Sequence, residues 1–138
     1  WFLETLGVWV SALNECNYCV EHHFAGLKRL LRDDGKSAQI RAAIDTNNIE
    51  SAPLENWEKT AMEYARQLTR DPGGMREDIV KKLRTSGYSD GEILEINQVC
   101  AYFSYANRTV LGLGCTTNGD ILGLSPNKND DPDDWKHT

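Results

Sequence analysis

Apolar residues recur along this chain at helical intervals, and no stretch alternates as a strand does. Residues 1–13, WFLETLGVWVSAL, are apolar on nearly every side and carry one charge, Glu4. Asn14 and Glu15 make a short connection, and residues 16–32 predict a second helix that ends at the DDG of 33–35. Ser37 is the expected cap of a short third helix, AQIRAAIDTN. Pro53 stands where prolines open helices, and Leu54, Trp57, Ala61, Tyr64, Ala65 and Leu68 after it form a core-facing stripe. DPGG stops that helix. Residues 76–86 predict another, closed by Gly87. Ser89 and Glu92 in SDGE form a capping box that opens a long helix to about Leu111. Beyond Gly112 the chain is rich in Gly, Asn, Asp and Pro. The expectation is an all-α, antiparallel helical bundle with short loops. Its helical domain is 1–112. Its irregular tail, 113–138, packs on that domain or on a neighbouring subunit, with Trp135 as the anchor.

Composition narrows the picture. The 138 residues suit one domain, and 40% hydrophobic content supports a folded core. A net charge of −6 argues against nucleic-acid binding, which needs a basic face. No apolar run approaches the roughly 20 residues of a membrane span. The first 13 residues lack a basic flank and carry Glu4, which argues against a signal peptide; the expected location is cytoplasmic. A first helix apolar on all sides cannot be covered by one hairpin partner, so a homo-oligomer is expected.

The chemistry concentrates in NECNYCVEHH, residues 14–23. On a helix, Cys16, Cys19, Val20, His23, Leu27, Leu30 and Leu31 share one face, and His22 is rotated toward the flank. Folding the first helix back on the second about residues 13–14 brings Glu4 level with His23. Gly7 and Ser11, on the same face as Glu4, let the second helix approach closely. A lone carboxylate on an apolar helix is costly to bury without a partner. The thiolate is the reactive form of cysteine, and a first helical turn favours it. His23 can take a proton from Cys19, Glu4 can orient His23, and Cys16 can close a disulfide with Cys19. Cys19 is therefore the expected lower-pKa thiol.

Other chemistries weigh less. Attachment of c-type haem needs His directly after the second cysteine, where Val20 stands. Zinc could take Cys16, Cys19 and His23, but Cys100 or Cys115 would have to complete the site. A purely structural disulfide across three residues closes too small a loop to gain much chain entropy.

The pattern Glu4, eleven residues, then Cys16-x-x-Cys19-x-x-x-His23 resembles the alkylhydroperoxidase D branch of the carboxymuconolactone decarboxylase superfamily, and its peroxidase-related proteins in particular. WEKTAMEYARQLTRDP, LRTSGYSDGEILEINQVCAYFSYANR and LGLSPNKNDDPDDW are similar to that group's later helices and end. The resemblance implies an alkylhydroperoxidase D-like bundle that works as a homo-oligomer and reduces hydroperoxides through thiols. It implies Cys19 as the attacking thiol, Cys16 as the resolving thiol, and Glu4 with His23 as the proton relay. It implies no cofactor and no metal, only an external thiol or dithiol reductant. Tyr18 stands where the best-known branch has a histidine between the cysteines. Two other readings stay open: a non-catalytic redox-responsive or metal-binding oligomer, and a decarboxylase or isomerase using Glu4 and His23. The decarboxylase branch lacks the cysteine pair, which weighs against the latter.

Overall fold

The first helix, α1 (Phe2–Leu13), is the hub of the fold. In the computed structural model, which describes residues 1–123, it packs against four other helices of the same chain. These neighbours are α2 (Asn17–Leu31), α3 (Asp34–Asp45), α4 (Asn56–Arg70) and α6 (Asp90–Gly112). The short α5 (Glu77–Thr85) joins α4 to α6 and packs on both. The described residues are helices and short turns without strands, so the bundle is all-α as the periodicity predicts.

Leu6, Val8, Trp9 and Val10 of α1 are at most 1% exposed, so the chain itself covers the middle of the helix, whereas Leu3 near its start is 37% exposed. Each large apolar side chain buried in this way contributes about 1.5–3 kcal/mol. Trp9 also donates its indole N–H to the Met62 carbonyl at 2.9 Å, which satisfies its polar edge. Further exposed apolar side chains lie on α6, at Leu94, Tyr102, Tyr105 and Leu111.

Two helix starts differ from expectation. α3 begins at Asp34 with Asp33 as its cap, the carboxylate accepting from the Lys36 N–H at 2.8 Å, and Ser37 lies inside the helix. Aspartate caps at least as well as serine, and a second acid in the first turn suits the helix dipole. α4 begins at Asn56, after Pro53, because Glu55 and Glu58 form a reciprocal capping box. The Ser89–Glu92 box opens α6 as read, and its backbone and hydroxyl hydrogen bonds hold the Glu92 carboxyl below the usual range.

The α1–α2 connection is three residues long, Asn14, Glu15 and Cys16. Glu15 adopts a left-handed conformation, φ 58°, which turns the chain sharply. The Cys16 N–H then donates to the Ser11 carbonyl at 2.9 Å, locking the start of α2 against α1. After α6, residues 113–123 run back along α2. The Arg29 guanidinium donates to the Gly123 carbonyl at 2.9 Å, and Gly123 lies flat against Ala25 and Gly26 with no room for a side chain. Residues 124–138, with Trp135, lie outside the described residues.

Candidate active site

The tight hairpin sets the register of four side chains. Cys16 is the N-cap of α2, one position ahead of its first helical residue, and Cys19 sits in the first turn. Both are buried, at 0% and 4% exposure, and both are free thiols. Leu27 is buried on the same face, whereas Leu30 is 59% exposed. His23 follows Cys19 by one turn. Its Nδ1 lies 2.8 Å from Glu4 Oε2, so α1 and α2 together build a carboxylate–imidazole pair beside the thiols. An ionised carboxylate only accepts, so Nδ1 carries the hydrogen and Nε2 is left as the basic nitrogen. The Phe103 ring packs edge-on against the imidazole at 4.5 Å and fixes its plane.

The Cys19 thiol does not follow the expectation of a lowered pKa. Burial pushes it up to about 12, and the neighbouring Cys16 sulfur adds to the rise. A hydrogen bond from Asn107 works in the opposite direction. The desolvation of a nearly closed site outweighs the helix N-terminus. Cys19 thus rests as a thiol, and its proton must leave during any reaction.

Three residues of this site escape a reading from sequence. Asn107 is fully buried; it donates to Ser11 Oγ at 3.0 Å, and its Oδ1 accepts from Asn14 at 3.0 Å. The signal is there in retrospect, since Asn107 is the one polar residue on the buried face that runs through Ile93, Ile96, Cys100 and Phe103. Phe103 comes from the same face. Asp120 bonds His22 Nε2 at 3.1 Å and also accepts from the Tyr18 hydroxyl, and the Tyr18 and His22 rings stack at 4.5 Å. Burial and then Asp120 raise the Tyr18 pKa, so this residue stays a neutral donor and does not act as a base. His22 therefore has a partner of its own, on the side of α2 next to the thiols.

Among the described residues, no three His, Cys, Asp or Glu side chains are grouped to hold a metal ion. No described helix is long and apolar enough to cross a membrane. A groove of about 370 Å³ opens beside the hairpin turn, lined by Trp9, Leu13, Asn17, Arg41 and Arg70 among others; neither thiol, nor Glu4, nor His23 reaches it.

No family model and no curated protein sequence matches the chain. Solved structures do. An uncharacterized peroxidase-related protein from Silicibacter sp. TM1040 superposes with a TM-score of 0.74 at 26% identity, over 83% of this chain and 58% of that one. The fold is alkylhydroperoxidase D-like. The alkylhydroperoxidase AhpD core of an uncharacterized peroxidase-related protein from Ralstonia eutropha JMP134 superposes at 0.71 and 22% identity, over 92% of this chain and 60% of that one. The alkylhydroperoxidase D-like chain thus spans under two thirds of the length of either solved chain. The hairpin and α6 are the parts of this alkylhydroperoxidase D-like bundle that assemble the thiol, imidazole and carboxylate groups.

Proposed function

We propose that the chain is a thiol-dependent peroxidase that reduces hydroperoxides with the Cys16–Cys19 pair. The observation that carries this is the Glu4–His23 pair at 2.8 Å, built one turn beyond a reduced, buried cysteine pair. The peroxidase-related nature of the solved relatives supports it.

The chemistry follows from the groups present. His23 Nε2 takes the Cys19 proton as the sulfur attacks one peroxide oxygen. The S–O bond forms, the O–O bond breaks, and the leaving alkoxide takes a proton from His23 to depart as an alcohol. Glu4 stabilises the imidazolium while it exists. Cys19 is then a sulfenic acid. The Cys16 sulfur attacks it, hydroxide leaves with a proton as water, and a disulfide closes. Asn107 supports the developing negative charge on Cys19 sulfur. An external dithiol restores both thiols. Other copies of the chain are proposed as partners, with the exposed aromatic face of α6 as their contact surface.

The test is rapid mixing of the reduced protein with cumene hydroperoxide while free thiols are counted. The expected result is loss of the Cys16 and Cys19 thiols together, one pair per peroxide consumed. A protein that consumes no peroxide, or a Cys19→Ser variant that reacts as fast as the parent, refutes the proposal.

A further inference from the structure

A third thiol stands at the edge of the site. Cys115 is exposed, whereas Cys16 and Cys19 are 0% and 4% exposed. The chain on either side of Cys115 fixes where it lies. Upstream, α6 brings Asn107 onto the Cys19 sulfur. Downstream, Asp120 is bonded to His22 and Tyr18, the residues that flank Cys19 along α2. At the start of the segment, the Cys115 N–H donates to the Val110 carbonyl at 3.1 Å and anchors it to the end of α6. The segment then follows the stripe Tyr18, His22, Ala25 and Arg29, held at its far end by the Arg29–Gly123 bond. That stripe lies directly beside the one that carries Cys19 and His23. A charge on Cys115 is felt at both Tyr18 and Cys19.

We propose that Cys115 is an exchange thiol that carries reducing equivalents from an external protein dithiol to the buried Cys16–Cys19 disulfide. The physical need is access. Thiol–disulfide exchange requires the attacking sulfur to touch the disulfide, and a folded reductant cannot reach sulfurs this deeply covered. Cys115 is exposed, and the segment that carries it is anchored at both ends beside the helix face of Cys19.

The steps balance. Cys115 loses its proton to solvent and attacks the Cys19 sulfur. The Cys16–Cys19 bond breaks, a Cys19–Cys115 disulfide forms, and Cys16 leaves as a thiolate that picks up a proton. One thiol of the external dithiol then attacks Cys115, and Cys19 leaves reduced. The second thiol of the reductant closes its own disulfide and releases Cys115. Two electrons pass from the dithiol to the pair.

This exchange rests on the redox pair proposed above, and the experiment separates the two. Wild type and Cys16→Ser are oxidised with diamide, quenched in acid, alkylated, and mapped by mass spectrometry of their peptides. Wild type is expected to contain the Cys16–Cys19 disulfide, and Cys16→Ser an intramolecular Cys19–Cys115 disulfide. Oxidised wild type and Cys115→Ser are then re-reduced. With thioredoxin and its reductase, Cys115→Ser is expected to recover at least about tenfold more slowly, while dithiothreitol, small enough to enter, reduces both at similar rates. Absence of the Cys16–Cys19 disulfide from oxidised wild type overturns the redox pair and the exchange together. Its presence, with no Cys19–Cys115 link in Cys16→Ser or with equal thioredoxin rates, overturns the exchange alone.

Discussion

Phe103 occupies the space that a side chain on Gly7 would fill, so α1 and α6 meet there through a ring lying on bare backbone. The same ring holds His23 edge-on at 4.5 Å. Gly7→Ala is therefore expected to displace Phe103 and cost about 1–3 kcal/mol, the usual penalty of overpacking. Urea denaturation measures the loss. A second change, Phe103→Leu, should return part of it, because the smaller side chain leaves room for the new methyl group. If Gly7→Ala unfolds at the wild-type urea concentration, the contact is looser than described.

Glu4→Gln keeps the size of the side chain but removes the charge that stabilises a protonated His23. The oxidation of Cys19 by hydroperoxide should slow at least about tenfold, since general acid–base help is typically worth about 10²–10⁴-fold. Glu95→Gln, an exposed change on α6, should leave the rate alone. Stopped-flow rates for the three proteins decide the matter, and equal rates would leave His23 to act without Glu4.

The raised Cys19 thiol sets two pH dependences. Its alkylation by iodoacetamide should climb about tenfold per pH unit from about pH 7 to about pH 10 without levelling, because the thiolate fraction keeps growing. A plateau near neutral pH would show that His23 lowers this thiol after all. The second dependence concerns stability. Burial holds Cys19 and Cys100 protonated up to about 12 when folded, against an ordinary value of 9.0. The unfolded chain thus loses these protons first, so stability is intact below about pH 9 and declines as pH rises from there toward 12. Melting temperatures recorded across that window should fall.

Asn107→Ala should destabilise the fold by about 1–3 kcal/mol, because Ser11 Oγ is buried and loses its donor. The same change should slow Cys19 alkylation at a given pH, since the hydrogen bond that favours the thiolate is gone. Denaturation and labelling read the two effects separately. Asn107→Asp, which cannot donate to Ser11 when ionised, should not rescue either.

Much of this was legible in the chain itself. Local signals placed the helices, because caps such as Ser89–Glu92 and stripes such as Ala61, Tyr64 and Ala65 depend on near neighbours only. The Glu4–His23 register was legible too, since a three-residue hairpin connection leaves little freedom. The starts of α3 and α4 were misplaced by a few residues, as Asp33 and Glu55 competed successfully with Ser37 and Pro53. What stayed hidden depends on distant pairing. Nothing near Asn107 or Asp120 says that α6 and the segment after it return to α2. The cover of α1 came from three helices that no local pattern could dock. The Cys19 shift followed from the same cause, since its burial is the work of the whole bundle.

His22 and His23 are neighbours in sequence, yet each is held by a carboxylate from the opposite end of the described chain, His23 by Glu4 and His22 by Asp120. The pair is thus a ready-made two-channel spectroscopic probe. In an imidazole NMR spectrum, loosening of the segment around Asp120 would move the His22 resonances and leave those of His23 in place. Movement of α1 would do the reverse. One dipeptide can therefore tell, without any added label, which flank of the thiol site opens first.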